Sequence, residues 1–487
     1  MPNEKAMFLL PRTNQSGSKD ECDCACAARE VSAYDKLNLA VNESMKLDDL
    51  HIDEIGKNSF AVYGPFLRNG MIVVNSPGKR LLDSGRNSMY SAPDTGDNQS
   101  RHSGAIFPMI GEESLDQNIL SSFPPLTSWL HLTDRCNLRC DYCYLSHKQE
   151  DMSFEAGCIA VDATFRSALA NGFEQVKLKY AGGEPLLRFP LILELHTYAE
   201  ERARQFGIGL DGVILSNGTL LSETHISSLL SHRLRLMISL DGVDRYHDCN
   251  RPYAGGRGSS ADVRDAIELA LAYGLTPNIS ITVSGRNVDG LPEVVGWVLD
   301  HHLPFSINFY RENDLSASHQ DLRNDEGKIV AGLLEAFKRI EENLPRQSLL
   351  ASLGDRADLS ASHSRTCGVG QNYLVFNTAG DLSKCHMQMG KARSISRSED
   401  ALAAVREDGQ GLQNISVEDK EGCRDCQWRY WCAGGCPLAT YRATGRYDVK
   451  SPNCNIYQVL FPAMLRLEGL RLLKYQDNPQ VVEKIII

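Results

Sequence analysis

Residues 136–143 read CNLRCDYC, placing Cys136, Cys140 and Cys143 in a CxxxCxxC array, and this stretch decides how the rest of the chain is read. A four-iron cubane normally draws four cysteine ligands, so a compact triad with no fourth cysteine nearby points to one iron kept for a non-protein ligand. The plainer reading is a structural zinc knuckle or a set of buried thiols. Zinc sites favour paired CxxC donors and four ligands, and here His131 or His147 would have to supply the last one.

Outward from the triad, apolar runs of strand type alternate with segments of helical spacing, the pattern of parallel βα units. SWLHLT (128–133) leads directly into the cysteines. It is followed by QVKLKYAGG from Gln175, GVILSNG from Gly212, RLMISLDG from Arg235, TPNISITVS from Thr276 and FSINFYRE from Phe305. Between them, residues 153–170 and 260–274 carry apolar residues at helical spacing with Ser or Asp near their starts. The fold class is α/β, and six such strands fall short of the eight that close a full barrel. Cys158, on the first helix, reads as a small buried hydrophobe.

The triad, with aromatic Tyr142 before its last cysteine and a strand before its first, resembles the radical S-adenosylmethionine (SAM) superfamily. The resemblance implies a partial (β/α)6 barrel and a [4Fe-4S] cluster whose open iron is chelated by SAM. Reductive cleavage of SAM then yields a 5′-deoxyadenosyl radical. YAGGEPLL (180–187) ends the second strand, on the face where barrel active sites gather. By the same resemblance Gly182, Gly183 and Glu184 meet the SAM amino group, and Tyr142, Ser216, Asn217, Ser239 and Asp241 are further cofactor contacts. Arg251 is able to grip a carboxylate in bidentate fashion. The alternative for Arg251, His247 and Asp248 is a salt-bridged loop brace, and Cys249 reads as a free thiol.

A second block holds Cys367, Cys385, Cys423, Cys426, Cys432, Cys436 and Cys454. Their order and spacing resemble the SPASM domain of radical SAM enzymes. That resemblance assigns Cys423, Cys426, Cys432 and Cys454 to one auxiliary [4Fe-4S] cluster and Cys367, Cys385 and Cys436 to part of another. No cysteine lies between Cys249 and Cys367 to complete the second set. An open iron, His363 or a distant thiol from Cys22, Cys24 and Cys26 remain as its fourth partner. Zinc would also fill CxxC sites, but it carries no electrons.

The chain has 487 residues, 15 cysteines and a formal charge of −11. The length accommodates several domains, and the negative balance argues against a nucleic-acid partner. Cysteine spacing suited to metal, with only AMFLL as an apolar run near the start, leads to the expectation of a reducing, cytoplasmic protein without a membrane span. The expected organisation is a tail over 1–32, a small α+β domain over 33–85, a polar connector over 86–122 and the barrel over 123–325. A connecting helix over 326–362, the SPASM domain over 363–465 and a tail over 466–487 follow. Residues 58–85 read as two strands and a short helix. They resemble the start of a small peptide-recognition domain fused to many peptide-modifying radical SAM enzymes, the alternative being a hairpin that covers the barrel edge.

SPASM-bearing enzymes act mostly on peptides or proteins, so the resemblance implies a maturase of a ribosomally made precursor peptide, fed by a low-potential donor such as flavodoxin or ferredoxin. Sulfatase-maturing members carry Asp after the cysteine matching Cys385, whereas this chain has His386. His386 is thus a candidate base, with packing as the plainer role. A sulfatase-type protein substrate and a small molecule stand as alternatives.

Overall fold

A computed structural model describes residues 5–12, 50–64, 67, 70–88, 124–323, 325–396 and 398–486. Cys22, Cys24 and Cys26, and the connector from residue 89 onward, lie outside them.

The chain opens with β1 (Met7–Pro11), β2 (His51–Gly56), β3 (Ser59–Tyr63), β4 (Met71–Asn75) and α1 (Ser76–Ser88). Alternation follows: β5 (Leu126–His131), α2 (Phe154–Ala170), β6 (Gln175–Ala181), α3 (Phe189–Phe206), β7 (Gly209–Ser216), α4 (Glu223–Ser231), β8 (Arg235–Ser239), α5 (Ser260–Ala272), β9 (Asn278–Val283), α6 (Leu291–Asp300) and β10 (Phe305–Phe309). The remainder supplies α7 (Glu326–Glu342), β11 (Tyr373–Phe376), β12 (Leu382–Ser383), α8 (Ala401–Glu407), α9 (Pro437–Thr444), α10 (Cys454–Lys474) and β13 (Val482–Ile486).

Local chemistry fixes several of these limits. Ser153 caps α2 by accepting from the Ala156 amide at 3.1 Å, and Gly207, at φ +66°, ends α3 in the left-handed conformation that glycine adopts without strain. The six expected strands are present and run parallel in the order β5 to β10. Ser128 and Tyr180 point at the helices, meeting Thr164 of α2 and His196 of α3, each at 3.0 Å. Strand alternation therefore turns Thr127, Trp129, His131, Lys177 and Lys179 toward the other face, where all five are buried.

The sheet is larger than the sequence suggested. β11 pairs parallel with β5, and β12 pairs with β11, so two strands of the cysteine-rich region extend the barrel sheet to eight. The apolar run YLVF covers backbone groups of β5 that would otherwise form an edge.

Two expectations need correction. Residues 466–487 are not a tail: they finish α10 and form β13, which pairs antiparallel with β1, so part of the 1–32 segment is also built into a sheet. The predicted strands and helix of 58–85 appear as β3, β4 and α1, but in a five-stranded sheet ordered β13-β1-β4-β3-β2. That sheet leans on α10 and the cysteine-rich region. Ile55, Met71 and Val73 surround Gly469, where a Cβ would stand 2.6 Å from Ile55, and Tyr63 stacks on Trp428 at 5.7 Å.

Candidate active site

The cysteine loop leaves the C-terminal end of β5 and is clamped at its base. Asp151 accepts from Arg135 at 2.7 and 3.0 Å, from Arg188 at 3.2 Å and from the Thr133 hydroxyl at 2.5 Å. Gly182 and Gly183 lie directly against this loop. Their amide neighbours donate inward, Gly183 to the Thr133 carbonyl at 2.7 Å and Glu184 to that of Arg135 at 2.9 Å. A Cβ on Gly182 would fall 2.6 Å from the Thr133 oxygen and one on Gly183 2.3 Å from the Arg135 oxygen. The glycines thus serve the close approach of two backbones.

Glu184 is fully buried, and its carboxylate accepts from the Leu186 amide at 2.9 Å, the Ser216 hydroxyl at 2.8 Å and the Asn217 amide at 2.8 Å. Burial pushes its pKa up to about 6 despite these donors. Asn217 continues the network to the cysteine loop, donating to Asn137 Oδ1 at 2.9 Å and approaching Cys136 Sγ at 3.8 Å.

Across the loop, Asp241 accepts from Tyr142 at 2.5 Å, from Arg251 at 2.7 Å and from the Thr282 amide at 2.8 Å. Arg251 also lies over the Tyr142 ring, 5.3 Å from its centre. His247 Nδ1 accepts from the Asp241 amide at 3.2 Å, and its Nε2 lies 3.1 Å from Ser259. Asp248 accepts from the Ser259 and Ser260 amides, each at 2.8 Å. The loop-brace reading of His247 and Asp248 matches this geometry. Arg251 bridges brace and site, and Ser239 ends β8 half-buried beside them.

Cys136, Cys140 and Cys143 are free thiols within electrostatic reach of one another and of Arg251. Burial raises all three pKa values, that of Cys136 to about 11, an effect that a coordinating cation reverses. The Leu138 and Leu145 amides point at Cys136 and Cys143, each at 3.4 Å, the kind of N–H···S contact that tunes cluster sulfurs. His131 engages Asp134 through Nε2 at 2.7 Å, which leaves the zinc alternative without support from that ring nitrogen.

The cysteines of the second block fall into two electrostatic neighbourhoods. Cys432 feels Cys423, Cys426 and Cys454, whereas Cys385 feels Cys436 and Cys367. Burial lifts Cys367 and Cys423 to about 11 and Cys385 and Cys432 to about 12. Cys436 is the exception. Burial would raise it too, but the guanidinium groups of Arg311 and Arg356 outweigh that and lower its pKa. Arg311, placed just after β10, is held by Asp355 at 2.8 and 3.0 Å. His363 Nδ1 lies 3.1 Å from the Ala361 carbonyl. Among the described residues no three His, Cys, Asp or Glu side chains converge as a chelate for one metal ion. The fit to clusters rests instead on donor chemistry: one triad, one quartet and one trio of gathered free thiols.

His386 is buried, stacked on Trp129 at 4.6 Å, with Tyr373 3.2 Å from its Nδ1. Burial, reinforced by Arg356, Arg311 and Lys179, pushes its pKa well below the usual value, so packing describes it better than base catalysis. Sequence reading missed Arg286, which reaches Asp141 of the cysteine loop at 2.6 Å and Asp321 at 2.7 and 3.0 Å, and Asn313, which donates to the Tyr142 carbonyl at 3.0 Å. Both follow strand ends, the one signal that marks them.

Residues 130–298 match the model of the radical SAM superfamily. The chain thus carries a radical SAM domain over those residues. An uncharacterized protein of Methanocaldococcus jannaschii is 32% identical over 171 residues, 35% of this chain and 57% of that one, so the chain spans little more than half of this relative. An Fe-coproporphyrin III synthase of Methanosarcina barkeri is 24% identical over 68% of the chain and 87% of its own length. A cysteine-type anaerobic sulfatase-maturating enzyme of Clostridium perfringens is 22% identical over 64% and 89%. The solved structure of native anSMEcpe with bound AdoMet covers 73% of this chain and all of its own at 20% identity and a TM-score of 0.58, a likeness of fold.

Proposed function

We propose that this radical SAM protein is a peptide or protein maturase with auxiliary clusters. The observation that carries the reading is the joining of the two cysteine blocks through β5. The triad follows its C-terminal end, and β11, paired along it, leads to Cys385 and to His386 stacked on Trp129. Cys136, Cys140 and Cys143 would hold the SAM-binding cluster, and the other seven cysteines the auxiliary ones. Bound there, SAM and its cluster supply hydrogen abstraction from an unactivated carbon. The chain's own residues orient and enclose: Glu184 locks the ends of β6 and β7, and Asp241 with Arg251 fixes Tyr142 against the triad. A low-potential donor such as flavodoxin or ferredoxin would feed the clusters.

A peptide substrate is supported by two comparisons: the sulfatase-maturating relatives and the similar fold of anSMEcpe solved with a bound Cp18Cys peptide. His386 in place of the sulfatase maturases' Asp favours a precursor peptide over a sulfatase. The Fe-coproporphyrin III synthase relative keeps a small-molecule reading alive. Co-expression with candidate precursor peptides separates the two, a mass change in the peptide being the expected result. For the chemistry itself, anaerobic reconstitution should load roughly eight to twelve irons per chain and release 5′-deoxyadenosine on reduction with SAM. Cys140→Ala should abolish that release, and normal release by the mutant would refute the triad assignment.

A further inference from the structure

Lys420 is 1% exposed although it stands one turn before Cys423 at the surface of the cysteine-rich region. Its side chain runs inward, and Nζ donates to the Ala433 carbonyl at 2.7 Å. Ala433, Gly434 and Gly435, with φ of +45°, +78° and +70°, are the three residues that join Cys432 to Cys436, one cysteine from each sulfur set. Thr366 pins the same bridge, donating to the Ala433 and Gly435 carbonyls at 2.9 and 2.7 Å. Glycine is required there for a second reason. A Cβ on Gly434 would stand 2.6 Å from Lys420 Cδ and 2.9 Å from its Nζ, so the bridge is shaped around the lysine.

The ammonium therefore rests on the link between the two sets; burial lowers its pKa, and Cys423 and Cys432 of one set with Cys367 and Cys436 of the other oppose that shift as thiolates. Among the described residues no carboxylate pairs with it. A buried ammonium is tolerated where anions surround it, and thiolates bound to a cluster are such anions.

Resting on the ligand assignment above, we propose that Lys420 is a positioning residue that sets the reduction potentials of both auxiliary clusters, its fixed charge favouring their reduced states. Each cluster takes one electron from a low-potential donor, and no bond is made or broken at the lysine. The added electron is attracted to a cation held in a medium of low dielectric, so removing the cation makes reduction harder.

The test is an EPR-monitored dithionite titration of the full-length, reconstituted protein carrying Cys136→Ala, Cys140→Ala and Cys143→Ala, so that only auxiliary clusters report. Lys420→Met should keep the iron of two clusters while the reduction equilibrium falls at least tenfold, about 59 mV for a one-electron couple. Lys420→Gln, which still can donate to Ala433, should shift equally, and Lys420→Arg should restore most of the potential. Unchanged potentials with full iron would overturn the proposal, as would loss of iron in both neutral variants, which would make the lysine an assembly residue. A parent protein that binds no iron would sink the ligand assignment itself, a separate outcome.

Discussion

Asp241 is held by three donors while its own backbone amide bonds His247, so one histidine nitrogen supports the residue that positions both Tyr142 and Arg251. Burial pushes the His247 pKa down to about 4 from the ordinary 6.5. Within that window the unfolded chain takes up a proton that the folded one does not. Stability is therefore full above about pH 6.5 and declines as pH falls toward 4, by roughly 2 kcal/mol between pH 6.5 and 5. His247→Asn keeps an acceptor for the Asp241 amide and removes the titration. It should flatten the pH dependence of the urea-unfolding free energy over this range; an unaltered slope would show that other groups set it. The same scale holds a steric prediction. A methyl at Gly183 would meet the Arg135 carbonyl at 2.3 Å, so Gly183→Ala should destabilise by about 1–3 kcal/mol in denaturant titrations and lower iron retention, because the loop that must yield carries the triad.

Among the elements, the pairing of β13 with β1 joins residues at opposite ends of the described chain, and β1 is buried between β13 and β4. Removing Val482–Ile486 would leave one side of β1 without a partner. Hydrogen exchange across Met7–Pro11 should then accelerate roughly tenfold or more while the barrel strands keep their protection; uniform behaviour would mean that the two sheets open as one unit. This pairing was not legible in the sequence. β1 and β13 are short, and nothing local specifies a partner so far along the chain. The barrel strands were legible because each is a near-continuous apolar run bounded by turn residues, as burial on both faces demands. The cysteine positions were legible for a different reason, since donor chemistry is carried by residue type and spacing. What Gly182 and Gly183 touch was not, because a glycine records that space is tight without recording what fills it.

For the molecule as a whole, the arrangement separates a site that would cleave SAM from a block that would carry electrons, and it joins them through β5 and its neighbour β11. In the proposed assignment Cys426 belongs to the quartet with Cys423, Cys432 and Cys454, and the trio containing Cys385 and Cys436 stands nearer the barrel beside Trp129 and Arg311. If the quartet relays electrons onward from the trio, its loss should spare hydrogen abstraction and stall the oxidation that follows. Cys426→Ala is thus expected to leave 5′-deoxyadenosine release measurable while peptide modification falls, raising the ratio of the two products in an anaerobic assay read by mass spectrometry. An unchanged yield of modified peptide would mean that the quartet takes no part in the electron path. Equal loss of both products would mean that the block holds the barrel in shape, with β11 as the connection through which damage reaches the triad.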